Sequence, residues 1–212
     1  MIRLRRYSRH PCGDDLRPED LVILYGLLAG EGLVEVFFHD GAARSLGDFL
    51  ALASSPAVWL YAAEEEGEFL GLGFVNDFSS SGNTAFAHLA AFAGGRGERF
   101  LEAGRLWFRL LREKGGLETI LAVLPACYRG ARKFAAASGF EERMRLPGAL
   151  ELRRGGKRKR TDAVVCVKDL RAAPQGSAGA FPGTEVEATS RNLLPAGGGS
   201  AHVPGATASA PR

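Results

Sequence analysis

A glycine-rich junction, AGGRGER at residues 93–99, is the segment of this sequence whose residue types and spacing indicate chemistry most directly. It follows the apolar run TAFAHLAAF and opens the amphipathic run RFLEAGRLWFRLLRE. Glycine permits a tight turn, and the first N–H groups of a helix lack acceptors within the helix and favour an anion. Arg96 and Arg99 can add charge-assisted hydrogen bonds. The junction predicts a site for an anion such as a pyrophosphate; alternatively, the glycines only end a strand and both arginines are solvated.

Other common ligand sites are not indicated. No P-loop of the form G-x-x-x-x-G-K-S/T occurs, and no G-x-G-x-x-G dinucleotide fingerprint follows a strand. The three cysteines, Cys12, Cys127 and Cys166, share no short spacing, which argues against a disulfide framework and against a zinc site. We therefore predict no bound metal.

Apolar periodicity predicts the elements that position the junction. An edge strand at 2–8 precedes a helix opened by Asp15 or Pro18 and a second helix capped by Ser45. A hairpin follows at 57–78, with Glu64, Glu65 and Glu66 as solvated charges at its tip. The remaining elements are a strand at 84–92, a helix from 99 to 113, a strand at 117–124, a helix within 124–142 and closing strands at 140–152 and 162–170. This β-α-α-β-β-β-α-β-α-β-β order implies a mixed sheet in an α/β layer architecture.

Over about residues 1–170 this order, the glycine-rich break and the helix ending SGF resemble the GNAT superfamily of acyl-CoA-dependent N-acyltransferases. Its members bind the acyl-CoA pyrophosphate on an R/Q-x-x-G-x-G/A loop before their third helix. Their next strand and helix read roughly P-x-x-N-x-x-A…Y-x-x-x-G-F, matched here by Pro125, Ala131, Gly139 and Phe140. The resemblance implies the GNAT fold, acetyl-CoA or another acyl-CoA as co-substrate, and an amine acceptor. The implied cofactor-binding residues are Phe92, Ala93, Gly94, Gly95, Arg96, Gly97, Glu98, Arg99, Pro125, Tyr128 and Ala131.

Three positions depart from the family pattern. Arg99 replaces the second glycine or alanine of the loop, and Tyr128 stands in the asparagine position. Ala135 occupies the place of the tyrosine that protonates the departing CoA thiolate in many members. A catalytically inactive GNAT-fold binding or assembly protein is therefore the alternative to an enzyme.

Acyl transfer requires that CoA be held in place, that the amine lose its proton and that the thiolate gain one. His88 is the predicted base, because imidazole titrates near physiological pH; a histidine on such an apolar strand is more often a core or edge residue. Tyr128, near the start of its helix, is the predicted acid in place of the missing tyrosine, with core packing as the alternative. Asp77, just after GLGFVN, is a candidate to bind a cationic amine.

A narrower resemblance is to small GNAT-like proteins of phages and prophages. It rests on His88, on the pair Gly104-Arg105 and on GKRKRTD, which ends at Asp162. This resemblance concerns origin more than activity. The inactive alternative would then be a binding or assembly component of phage origin.

Composition and charge bound the remaining possibilities. Hydrophobic residues make up 46% of the chain and charged residues 24%, and the net charge of +3 does not by itself imply nucleic acid. The basic run RRGGKRKR, 153–160, predicts an exposed loop between two strands; contact with the CoA 3′-phosphate, an acidic substrate or nucleic acid is the alternative. Residues 171–212, rich in Ala, Gly, Pro and Ser, predict a disordered tail, or a tether with Phe181 or Leu193-Leu194 as anchors. Neither a secretion signal nor a membrane-spanning run is evident, so we expect a cytoplasmic protein without a membrane partner.

Overall fold

The computed structural model describes residues 1–154 and 157–172, all within one unit, Met1–Gln175. The strands are β1 (Arg3–Arg6), β2 (Trp59–Glu65), β3 (Glu68–Asn76), β4 (Thr84–Ala91), β5 (Thr119–Pro125), β6 (Glu141–Arg154) and β7 (Lys157–Asp169). The helices are α1 (Pro18–Gly30), α2 (Val34–Phe37), α3 (Leu46–Ala53), α4 (Glu98–Gly115) and α5 (Arg129–Ala137). A single 3-10 turn, Ala93–Gly95, joins β4 to α4.

These strands form one seven-stranded sheet in the order β1-β2-β3-β4-β5-β7-β6. Among the strands of the described residues, only β4 and β5 run parallel to each other; the other neighbouring strands are antiparallel. The parallel pair requires a crossover, which α4 supplies. The predicted mixed-sheet α/β architecture and its order of elements are therefore confirmed, with one short helix added.

Local capping explains where two of the helices begin. The Ser45 hydroxyl accepts the Asp48 N–H at 3.1 Å, and the Asp48 carboxylate accepts the Ser45 N–H at 3.0 Å, which forms a reciprocal capping box at the start of α3. Pro18 is the first residue of α1, where its missing N–H costs no hydrogen bond. Both sequence predictions for these helices are confirmed. No described helix is long and apolar enough to cross a membrane.

Helices cover both faces of the sheet. Helices α1, α2 and α3 bury leucine and phenylalanine side chains against one face, here called the α2 face. Helices α4 and α5 cover the opposite face, here called the α4 face. Successive side chains along β4 and the residue after it point to opposite faces of the sheet. Ala90 and Phe92 therefore pack in the core on the α2 face, and Ala85 and Ala87 pack in the core on the α4 face.

The structure corrects three details of the sequence interpretation. The four-residue α2 was not predicted; so short a helix depends on packing, which buried Phe37 provides. The basic run is not a loop over its whole length, because β6 and β7 stay paired to Arg154↔Lys157. An exposed pair of strands needs no alternation of apolar and polar residues, so the sequence did not indicate the end of β6 or the start of β7. From residue 173 onward the predicted tail, which includes Phe181 and Leu193-Leu194, lies outside the described residues.

The third correction concerns the hairpin tip. Glu64 is buried rather than solvated, and its carboxylate accepts hydrogen bonds from Arg3 at 2.8 Å and from Arg5 at 2.9 Å. Pairing with two guanidinium groups satisfies a carboxylate that burial would otherwise penalise. Glu65 pairs with Arg99, and Glu66 is exposed. Glu64 therefore forms ion pairs with β1, and Glu65 forms one with the glycine-rich junction.

Candidate active site

Strands β4 and β5 separate after three paired residues. Their parallel pairing comprises Thr84↔Thr119, Ala85↔Ile120 and Phe86↔Leu121. Beyond these positions β4 remains paired with β3 as far as Ala91, and β5 remains paired with β7 as far as Pro125. Within the described residues no strand pairs with the two edges that face each other. The sheet therefore contains a V-shaped cleft with hydrogen-bonding backbone on its walls.

A cavity of about 410 Å³ occupies this cleft. On the α2 face it is lined by Leu33, Val36, Phe37, His39 and His88. On the α4 face it is lined by Arg96, Gly97, Phe100, Phe134 and Ala135, among others. Because the strands diverge, one cavity reaches both faces of the sheet. Two molecules can therefore approach each other through the sheet from opposite sides.

The glycine-rich junction is pinned against β3 at one end of the cavity. A Cβ atom on Gly95 would lie 2.1 Å from the Leu70 carbonyl oxygen, so only glycine fits there. The Gly95 N–H donates to the Phe92 carbonyl at 2.9 Å, and the Phe92 N–H donates to the Leu70 carbonyl at 2.9 Å. Gly97 precedes α4 with a φ of 87°, a conformation that glycine adopts readily.

The first turn of α4 offers backbone donors at this junction. The Leu101 N–H bonds to the Gly97 carbonyl at 3.2 Å. The N–H groups of Glu98, Arg99 and Phe100 precede that bond and have no acceptor within the helix. Together with the positive end of the helix dipole they can hold an anionic group.

The two arginines of the junction have different environments. Arg96 lines the cavity and donates to Glu31 at 2.9 Å, while the same carboxylate accepts the Ala93 N–H at 2.8 Å. Arg99 instead bonds to Glu65 at 2.7 Å and donates to the Gly94 carbonyl at 3.0 Å. The Arg99 hydrogen bond also lowers the pKa of Glu65. The residue that departs from the family loop thus braces the junction, and its side chain is not part of the cavity wall.

His88 lies on the α2 face of the cleft, directly opposite Phe74 on β3. The two rings stack with centroids 4.3 Å apart and an interplanar angle of 10°. Burial lowers the pKa of His88 to about 4; the charges of Asp40 and Asp77 raise it and His39 lowers it further. The imidazole is therefore neutral at physiological pH and can accept one hydrogen bond and donate another.

Helix α5 and its N-cap residue, Tyr128, carry three further motif positions along one side of the cavity. Tyr128, Ala131 and Ala135 recur at helical spacing, and all three line the cavity. Pro125, the last residue of β5, lies beside them. Ala135 is buried, and its small side chain leaves space where the family pattern has tyrosine. Among the described residues that line the cavity, Tyr128 is the tyrosine.

Comparisons with known proteins identify the fold. No protein-family model matches the chain, and no curated protein matches it. The spermidine N-acetyltransferase from Vibrio cholerae, solved in complex with CoA and spermine, is 13% identical with a TM-score of 0.64, covering 80% of this chain and 96% of that one. A provisionally named phosphinothricin N-acetyltransferase is 16% identical with a TM-score of 0.56, covering 80% and 98%. This chain has the GNAT fold.

The GNAT fold brings together part of the set of residues predicted from the sequence. His88, Arg96, Gly97, Pro125, Tyr128 and Ala131 line the cavity. Phe92, Ala93, Gly94, Gly95, Glu98 and Arg99 do not belong to its wall, although they build the junction behind it. Asp77 follows β3 as an exposed residue with a φ of 50°. Their roles stay predictions, as does the narrower resemblance to phage proteins.

Sequence reasoning missed the side of the GNAT-fold cavity that α2 contributes. Leu33, Val36, Phe37 and His39 line it there, and Glu31 holds both Ala93 and Arg96. These residues lie more than 50 positions before the motifs at the other side. A short apolar segment carries no signal for such a distant contact.

Proposed function

We propose that this protein transfers an acyl group, acetyl in the first instance, from acyl-CoA to a primary amine. The observation that carries the proposal is the separation of β4 and β5 beyond Phe86↔Leu121, with a cavity through the sheet and a helix N-terminus at one end. The neighbouring spermidine N-acetyltransferase structure holds CoA and spermine. That precedent supports a CoA donor and an amine acceptor on the same fold.

The acyl-CoA would bind from the α4 face. Its pyrophosphate would accept hydrogen bonds from the N–H groups of residues 98–100 and from Arg96. The amides of its pantetheine arm would pair with the open edge of β4, as an added strand pairs with the edge of a sheet. The thioester would then lie within the cleft, between His88 and Tyr128.

The reaction would proceed within a ternary complex, without a covalent enzyme intermediate. The neutral amine attacks the thioester carbonyl carbon, a C–N bond forms, and the C–S bond breaks to release the CoA thiolate. The ammonium proton must leave before attack. His88, with a pKa of about 4, is a weak base, so we assign it the task of orienting the amine or a water molecule that accepts this proton. Tyr128 donates a proton to the departing thiolate, and the proton that the nitrogen loses as the amide forms returns, directly or through water, to the Tyr128 phenolate, so that one proton leaves the amine and one reaches sulfur.

Calorimetric titration with CoA and acetyl-CoA tests the binding half of the proposal. We expect micromolar binding to the unaltered protein and its loss in Ala131→Trp, which would place an indole in the cavity. Ala136→Trp is the matched control, because Ala136 is exposed on the same helix and is not part of the cavity wall. Absence of binding at millimolar CoA, or equal binding by both variants, would contradict the proposal.

Ala135 favours a second candidate, a GNAT-fold protein that binds acyl-CoA without turning it over. The family's usual acid is absent at this position, and Tyr128 lies about two helical turns away. Release of CoA thiol from acetyl-CoA in the presence of a panel of amines discriminates the two candidates. Turnover that falls at least about tenfold in Tyr128→Phe supports the enzyme and the assigned acid. Binding without turnover supports the second candidate.

A further inference from the structure

We infer that the acceptor is a monoamine carrying a compact apolar group, and that polyamines are poor substrates. This inference rests on the proposed function. If acyl-CoA occupies the α4 face, the acceptor must enter from the α2 face. Its binding surface is then the part of the cavity formed by Leu33, Val36, Phe37, His39 and His88.

Charge is the first reason. Among the described residues that line the cavity there is no aspartate or glutamate, and the one fixed charge is the positive Arg96. His88 is uncharged at physiological pH, because burial lowers its pKa to about 4. A polyamine would bring further ammonium groups into this surface, where they would lose hydration without gaining an anionic partner in the cavity wall.

The aromatic wall is the second reason. Phe37 and His88 line the cavity, and the buried Phe74 lies behind them: it meets Phe37 edge-on with centroids 5.6 Å apart and stacks on His88. Leu33 and Val36 extend the same surface on the α2 side. The apolar side chains of Leu33, Val36 and Phe37 favour a ring or a short branched alkyl group, whose burial releases water.

Two exposed carboxylates account for attraction of a single ammonium. Asp40 follows His39 in the turn after α2, and Asp77 follows the last residue of β3. Both are exposed, and both lie close enough to His88 to raise its pKa against the effect of burial. They attract a cation at the solvent side, whereas the cavity wall itself favours the neutral amine that attacks the thioester.

Steady-state rates with phenethylamine and spermidine at saturating acetyl-CoA test the inference. We expect kcat/KM for phenethylamine to exceed that for spermidine at least about thirtyfold, since each unpaired buried charge is costly. Val36→Asp adds an anion to the proposed surface and should lower this ratio at least about tenfold. Val22→Asp, the same substitution at an exposed position of α1, should leave the ratio unchanged.

Binding of each amine to the protein saturated with CoA separates the two proposals. Calorimetry should give tighter binding of phenethylamine than of spermidine, whether or not chemistry follows. Tighter phenethylamine binding with turnover of neither amine would overturn transfer to such amines and would uphold only the preference of the α2-face surface for a compact apolar monoamine. Spermidine that binds or reacts as well as phenethylamine, or a Val36→Asp protein that binds CoA but keeps the original preference, would overturn the acceptor inference.

Discussion

Burial changes the chemistry that His88 can perform. An unperturbed imidazole is partly protonated near pH 6.5, but this ring stacks on Phe74 and burial lowers its pKa to about 4. The neutral ring can orient an amine or a water molecule by hydrogen bonding. It does not provide a base matched to neutral pH, and the activity of the protein should show no inflection from His88 between pH 6 and 8.

The lowered pKa of His88 predicts how stability depends on pH. The unfolded chain takes up a proton on His88 as the pH falls through 6.5, whereas the folded protein does so only near pH 4. Stability from this group is therefore complete above pH 6.5 and is lost between pH 6.5 and 4. Between pH 7.5 and 4.5 the free energy of unfolding should fall by about 2 to 3 kcal/mol more in the unaltered protein than in His88→Gln. Urea unfolding at both pH values measures this; equal decreases in the two proteins would refute the assignment.

Arg96 and Arg99 provide a matched pair for testing the junction. Each carries one positive charge near the start of α4, but only Arg96 lines the cavity. Loss of a charge-assisted hydrogen bond to pyrophosphate in Arg96→Ala should weaken CoA binding about tenfold. Arg99→Ala, which removes a brace on Gly94, should weaken it less than about threefold. Equal losses in calorimetry would mean that net charge, not position, governs binding.

At the scale of elements, the glycine-rich junction functions as a spacer of fixed shape. The Phe92 N–H and the Gly95 N–H tie it to β3 and to its own turn, and Gly97 then directs the chain into α4. Glu31, just after α1, holds it from the other side through Ala93 and Arg96. The position of the helix N-terminus relative to the cleft therefore depends on contacts with two other elements.

Neighbouring glycines of the junction should respond differently to substitution. Gly95→Ala would force a Cβ to within 2.1 Å of the Leu70 carbonyl oxygen, whereas a Cβ on Gly94 meets no atom within 4 Å. We expect Gly95→Ala to lower the free energy of unfolding by about 1 to 3 kcal/mol and to weaken CoA binding. Gly94→Ala should change stability by less than about 0.5 kcal/mol. Denaturant titration of both variants decides the point, and comparable losses would contradict the close packing of Gly95.

At the scale of the whole molecule, the break between β4 and β5 is stabilised by two hydrophobic cores. Helices α1, α2 and α3 build one core and α4 and α5 the other, so the strands on either side of the cleft stay fixed while their facing edges remain open. The open edge of a strand exposes unpaired N–H and C=O groups, and proteins usually cover such an edge. Here helices enclose it, which leaves a cavity instead of an exposed edge.

Occupancy of this cavity should stabilise the fold as a unit. A ligand that binds only the folded protein adds about 2.7 kcal/mol when its concentration is a hundred times its dissociation constant. For CoA at that concentration we expect Tm to rise by about 5 to 10 °C. The Ala131→Trp protein, with an indole in the cavity, should show no such shift, and an equal shift in both proteins would indicate binding elsewhere.

The sequence was informative where a local rule decides structure. Pro18, Ser45 with Asp48, and Gly97 are position-specific signals for helix starts, and the structure uses each of them. Pro125 and Ala131, two positions of the resembled motif, both line the cavity, and their binding role stays a prediction. These features depend on residues a few positions apart, so neighbouring letters suffice to predict them.

Contacts between distant segments could not be predicted in this way. Burial of Glu64 depends on two arginines of β1, and the α2 side of the cavity depends on packing of Phe37 against Phe74. The low pKa of His88 likewise follows from burial, not from its neighbours in sequence. The sequence by itself determined the order of elements and the capped helix starts, and it predicted an anion site at residues 93–99. Only the tertiary structure decided which face of the sheet each residue lines, because β4 and β5 separate as a result of packing between helices and strands far apart in the chain.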